Sequence, residues 1–134
     1  MTISYTLEPN LSAAEFRAVL VASTLAERRP AGDLGRLDKM LRNADIILTA
    51  RSENRLIGVA RAITDFAYCC YLSDLAVSRD HQRQGVGKRL IAETRARAGE
   101  QATLILVAAP AAEAYYPRIG MQHMKSCWAI PRTT

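Results

Sequence analysis

No apolar run in the 134 residues approaches the roughly 18 needed to cross a bilayer, so a membrane-spanning helix is excluded. The opening stretch MTISYTLEPN lacks the basic and apolar segments of a secretory signal, and a cytoplasmic location is expected. Cysteine is sparse. Cys69 and Cys70 are adjacent in a strand-like run and point to opposite faces, Cys127 stands alone, and there is no C-x-x-C. Two separate histidines, His81 and His123, complete no zinc pattern, so no metal is expected. Free thiols suit a reducing compartment. Repeats, linkers and low-complexity segments are missing, and so is any helix-turn-helix or aromatic-basic pattern. Nucleic acid and membrane are therefore not the expected partners, although the net charge is +5.

What is present is one ordinary domain's worth of chain, residues 1–134, with 49% hydrophobic and 23% charged residues and hence a sizeable core. The basic excess is not spread evenly. Arg79, Arg83, Lys88 and Arg89 gather around Gly85 and Gly87, which suits a multiply phosphorylated small ligand.

That cluster lies in Tyr71 to Leu90, YLSDLAVSRDHQRQGVGKRL, which reads as strand, loop and helix start. A helix N-terminus leaves backbone N–H groups unpartnered and carries partial positive charge. Glycines there let a ligand approach the backbone, and the combination is an anion site. A Walker loop is excluded because Gly87-Lys88 is followed by Arg89. A dinucleotide fingerprint fits poorly, since Leu90 stands where a small residue belongs. The pattern left is Q-x-x-G-x-G at Gln82, Gly85 and Gly87, either a phosphate cradle or a plain turn.

Around it the elements follow in order. Residues 3–8 alternate as a strand. Ser12-Ala-Ala-Glu15 is a capping box opening a helix with Phe16, Val19 and Leu20 on one face. Pro30 and Gly32 mark a loop, and Asp33 caps a second helix ending near Asn43. Strands at 45–50, 55–64 and 67–77 form an antiparallel meander, with Ile57, Val59 and Ile63 on one side and a bulge or close approach at Gly58. A helix with Val86, Leu90, Ile91, Thr94 and Ala98 as its stripe stops at Gly99. The apolar run 103–108 reads as a central strand, reached by a right-handed parallel crossover. A short helix at 111–118 and a last strand region at 121–130 complete the chain. The expected fold is α/β (α+β): a mixed, mostly antiparallel sheet with helices on both faces, in the order β-α-α-β-β-β-α-β-α-β.

With its Leu75-Ala76-Val77 strand, its Q-x-x-G-x-G turn and the helix that follows, the chain resembles the GNAT superfamily of N-acetyltransferases. The element order is also that family's order. Ala112 to Met121, AEAYYPRIGM, resembles the family's A-x-x-F/Y-Y-x-x-x-G-F segment, with Met121 in place of Phe. The resemblance implies that Gln82, Arg83, Gln84, Gly85, Val86, Gly87 and Lys88 hold the pyrophosphate of acetyl-CoA, mostly through backbone N–H. It implies that Leu75, Ala76 and Val77 present backbone to the pantetheine arm, and that Tyr116 is the acid that protonates the departing thiolate. Asp74 is the tempting catalytic base, being the carboxylate in that strand. The family's first two helices wall the acceptor site, which implicates Arg28 and Arg29 as substrate-binding residues. The expected activity is direct acetyl transfer from acetyl-CoA to a primary amine on a small molecule or peptide. The alternative is a non-catalytic acyl-CoA-binding or regulatory domain of the same fold. A homodimer is compatible with the sequence, but no residue argues for one.

Overall fold

The computed structural model describes residues 2–134. Strand β1 (Ile3–Leu7) is followed by helix α1 (Ala13–Ser23), a 3-10 turn at Leu25–Arg28, and helix α2 (Leu34–Arg42). Strands β2 (Ile46–Ser52), β3 (Arg55–Thr64) and β4 (Cys69–Val77) come next. Helix α3 (Val86–Ala98), strand β5 (Thr103–Ile105) and the short helix α4 (Tyr115–Arg118) finish the fold. The sheet runs β1-β2-β3-β4-β5, antiparallel except for the parallel β4–β5 pair. This is the mixed sheet that the sequence predicts.

The helix ends are where the capping residues put them. Ser12 Oγ accepts from the Glu15 N–H, and Asp33 Oδ1 accepts from the Arg36 N–H, each satisfying a donor that the helix leaves over. Asn43 closes α2 and Gly99, at φ +95°, closes α3. Helices α1 and α2 bury Phe16, Leu20, Leu37 and Leu41 on one face of the sheet, over Ile47 and Val59. Helix α3 buries Val86, Leu90 and Ala98 on the other, over Leu48, Ile57 and Leu72.

Two bulges shape the sheet, and both lie near the loop of interest. In β3, Ala50 pairs with Gly58 and Arg51 with Leu56, so Ile57 is the extra residue. Ile57 and Gly58 therefore both turn toward α3, whereas Val59 turns toward α1 and Ile63 is largely exposed. The expected single face of Ile57, Val59 and Ile63 is corrected by this bulge. In β4, Arg61 pairs with Asp74 and Ala62 with Leu72, leaving Ser73 unpaired. Leu72 then faces α3, but Asp74 and Ala76 face the α1–α2 side, two residues on in the alternation.

Gly58 marks a close approach. A Cβ there would meet Leu90 Cδ1 at 3.2 Å and both Val86 Cγ1 and the Ala76 carbonyl at 3.3 Å. Gly58→Val is expected to overpack this junction at a cost of about 2 kcal/mol. Thermal melting should read that as a fall of about 5–10 °C; an unchanged Tm would mean that α3 is not seated against β3 here.

The later part of the chain departs from expectation. The strand predicted at 103–108 pairs only over Thr103–Ile105. The helix predicted from 111 to 118 is a 3-10 turn at Pro110–Ala112 and then α4. Pro117 explains the break, because it has no N–H to give to residue 113, whereas in the first turn of a new helix none is needed. No strand forms over 121–130 among the described residues. A turn links Met124 O to Cys127 N–H, and Trp128 and Ile130 are 90% and 99% exposed, so no apolar face is buried to hold a strand.

Candidate active site

The phosphate-type loop is built from the end of β4. Ser78 N–H donates to the Ile57 carbonyl, which holds the strand end to β3. A 3-10 turn, Arg79–His81, leads into Gln82, whose Nε2 donates back to the Val77 carbonyl at 3.0 Å and closes the loop on itself. Arg83 and Gly85 take left-handed backbone at φ +63° and +82°. No side chain caps α3, and its first backbone bond runs from the Arg89 N–H to the Gly85 carbonyl. The N–H groups of Val86, Gly87 and Lys88 thus carry no backbone partner from the loop. The first turn of α3 has no acidic residue, and Arg83 and Lys88 are exposed around it, while Arg89 is turned to Glu93 at 3.2 Å and lies over the Tyr5 ring. This is an anion cradle of three amides within a basic rim.

Beside the cradle the sheet opens. Strands β4 and β5 pair only from Cys69↔Thr103 to Tyr71↔Ile105, and beyond that β4 has no neighbour on this edge among the described residues. A cleft of about 490 Å³ fills the gap, between Leu72–Val77 (without Asp74) on one side and Leu106, Val107 and Ala109 to Ala112 on the other. Because Ser78 N–H turns toward β3, alternation turns the Val77 N–H toward this open edge. Tyr116 closes one end, and Ser23 to Leu25 with Glu27, Arg28 and Arg29 form the facing wall.

Tyr116 is half-buried, and burial pushes its phenol above the usual range, with neighbouring Tyr115 adding to the effect. The two rings meet edge to face at 5.3 Å. Tyr115, which sequence reasoning leaves as a packing aromatic, has its hydroxyl over the cradle, 3.5 Å from where a Cβ on Gly87 would stand. Burial raises its pKa as well. The doubled Tyr115-Tyr116 was the available signal, because adjacent residues in one helical turn point in different directions.

Asp74 does not line the cleft. Its side chain is 0% exposed, and its two oxygens accept from Arg29 Nε and Arg61 Nε. A base needs reach to the attacking amine, so the expectation of a base at Asp74 is corrected by its burial between two guanidiniums. Arg29 Nη2 donates to the Ser73 carbonyl at 2.7 Å and Nη1 to the Arg28 carbonyl at 2.8 Å, so its donors are turned to protein. Arg28 lies on the cleft wall and makes no ion pair among the described residues. Arg61 was not anticipated; only its in-register pairing with Asp74 reveals it. Gln84 and Lys88 are exposed, and Leu75 and Ala76 line the cleft. His81 is buried outside the cleft lining, and His123 is exposed. Among the described residues no cluster of His, Cys, Asp or Glu could hold a metal, and no helix is long and apolar enough to cross a membrane.

Comparison with known proteins agrees with this geometry. Residues 13–121 match the model of the acetyltransferase (GNAT) family. A probable acetyltransferase from meticillin-resistant Staphylococcus aureus superposes with a TM-score of 0.82 at 19% identity, over 99% of this chain and 100% of that one. A ribosomal-protein-alanine N-acetyltransferase from Brucella melitensis gives 0.72 at 20% identity, over 98% and 100%. An aminoglycoside acetyltransferase from an uncultured soil metagenomic sample, in complex with sisomicin, gives 0.70 at 20%, over 99% and 95%. A search of curated proteins finds no match. At such identities the structural likeness speaks for the fold, and the family match over most of the length speaks for descent: the chain belongs to the GNAT family of acetyltransferases.

Proposed function

We propose that this chain, acting as one domain over residues 1–134, is a cytoplasmic N-acetyltransferase that moves the acetyl group of acetyl-CoA directly to a primary amine. The observation that carries the reading is the splay of β4 from β5, which runs straight into the three-amide cradle. A pyrophosphate suits the amides of Val86, Gly87 and Lys88, and an extended thiol arm suits the cleft beside Leu75 to Val77. Arg83, Gln84 and Lys88 supply the basic and polar rim, and Gln82 keeps the loop closed.

The chemistry then falls to few groups. The Val77 N–H faces the gap where a thioester oxygen would take on negative charge, and a backbone donor there stabilises it without reorganisation. Tyr116, protonated throughout the physiological range, gives its proton to the sulfur as the tetrahedral adduct collapses. The amine enters over the Ser23-to-Arg29 wall, and Arg28 is the cation there free to meet an acceptor's anionic group. With Asp74 buried, the amine's proton leaves through solvent at the cleft mouth or arrives already lost.

The test is a thermal-shift series with acetyl-CoA, CoA, ATP and NADH. A ligand at about 100 times its Kd adds roughly 2.7 kcal/mol, on the order of 10 °C for a domain of this size. Stabilisation by the two CoA species alone is expected. A folded sample with no shift by any CoA species would leave the loop a plain turn. Turnover is then sought with spermidine, sisomicin, glutamate and an alanine-initiated peptide, two of them taken from what the structural relatives are named for. CoA binding with no turnover on any amine would favour the non-catalytic alternative.

A further inference from the structure

We propose that Arg29 and Asp74 are positioning residues: with Arg61 they pin the acceptor-side wall of the cleft to the bulge in β4, and so set where the amine stands. The proposal rests on the acetyltransferase reading for its function, though not for its geometry. The wall needs an anchor. Its 3-10 turn, Leu25–Arg28, fully buries no side chain and packs only Leu25 and Ala26, partly buried, against the α1–α2 core, and the chain enters it through Thr24 in left-handed backbone at φ 73°. Apolar packing alone therefore holds it weakly.

Arg29 supplies the anchor from the far end of the turn. Its fork spans the gap, taking Asp74 Oδ1 through Nε and the Ser73 carbonyl through Nη2, while Nη1 folds back to the Arg28 carbonyl. Arg61 completes the other half. Its Nε takes Asp74 Oδ2, one Nη takes Ser73 Oγ at 3.0 Å, and the other takes the Met40 carbonyl of α2 at 3.3 Å. Ser73 is the bulge residue, without a partner in the ladder. Its carbonyl and its hydroxyl are therefore both held by guanidiniums that a single carboxylate orients. The bulge sits immediately before Leu75 to Val77, the strand edge facing the gap. The same three side chains thus fix the acceptor wall and the register of the reacting edge against each other. A planar fork does this and an ammonium does not.

Arg29→Gln and Arg29→Lys are compared with the wild-type chain, using whichever of the four amines above is turned over best. Both variants are expected to raise the acceptor KM about tenfold, with a smaller change in kcat and an acetyl-CoA Kd within about twofold. Lysine should not rescue, since it keeps charge but loses the fork. Full rescue by lysine, or an unchanged KM in both, overturns the proposal. Asp74→Asn separates positioning from base chemistry. The acidic limb of kcat/KM against pH is expected to persist in the variant; its disappearance would make Asp74 the base and overturn the assignment. Should Asp74→Asn not fold, the Arg29 pair still decides. A wild-type chain that binds no acetyl-CoA would defeat the enzymatic reading and not the clamp. Amide hydrogen exchange over residues 24–29 then decides, being expected to speed about tenfold in Arg29→Gln, and unchanged exchange rejects the clamp.

Discussion

Tyr116→Phe is expected to lower kcat about 100-fold while acetyl-CoA affinity stays within about twofold. A well-placed general acid contributes 10²–10⁴, roughly, to a proton-transfer step. The substitution removes only the O–H and keeps the ring that packs against Tyr115. The pKa direction gives the pH dependence. Burial, then Tyr115, raises the phenol above about 10. The raised value keeps the acid form populated to higher pH, so wild-type kcat should hold through neutrality and fall only above pH 10, roughly. The Phe variant should lose that basic limb along with the rate. Tyr115→Phe is the matched control, because its hydroxyl stands over Gly87 and not beside the gap. Its loss should weaken acetyl-CoA binding and spare kcat. Steady-state kinetics with a productive amine checks both. An unchanged kcat in Tyr116→Phe would remove Tyr116 as the acid.

Much of the fold was legible because its signals are local. The N-caps at Ser12 and Asp33, the stop at Gly99 and the apolar stripe of α3 each lie within a few residues of what they control. The loop was legible for the same reason: a glycine that must adopt positive φ sits directly before a helix. The bulge in β3 falls beside Gly58, where the glycine signals a bulge or close approach, but the bulge in β4 has no such local signal. Alternation through Cys70, Leu72, Asp74 and Ala76 reads as one buried face, whereas the extra residue at Ser73 moves the last two to the opposite side. That shift is fixed by pairing with β3, not by composition. The expectation of a base at Asp74 rests on its place in that strand, whereas the side to which the strand turns it, toward Arg29 and Arg61, is set by the bulge. The contact between Arg29 and Asp74 joins residues 45 apart in sequence and leaves no trace in either neighbourhood.

The carboxy-terminal segment failed differently. A last strand region is expected over 121–130, but the apolar residues there, Met121, Met124, Trp128 and Ile130, follow no strict period. Apolar content without a buried face supplies no reason to extend.

Gly85→Val should abolish the thermal shift given by acetyl-CoA and weaken its binding about 100-fold or more, with only a modest loss in the stability of the free protein. The reason lies in what surrounds Gly85. A Cβ there would meet nothing within 4 Å, so no core contact opposes the side chain. The backbone does, because φ is +82°, and a β-branched residue in that region costs about 1–2 kcal/mol. The chain can relieve this strain by turning Gly85 to negative φ. That rotation swings the amides of Val86, Gly87 and Lys88 out of convergence, and the isopropyl group takes the open space in front of them. Each charge-assisted bond lost is worth about 1.5–3 kcal/mol; losing two of the three already gives the stated factor. Because Gly85 also supplies the first carbonyl of α3, through the Arg89 N–H, a fall of a few degrees in the free Tm is expected alongside. Calorimetric titration of a variant verified as folded separates the two effects. Wild-type affinity in that variant would mean that the cradle's convergence does not matter to the coenzyme, and the loop would lose its assignment.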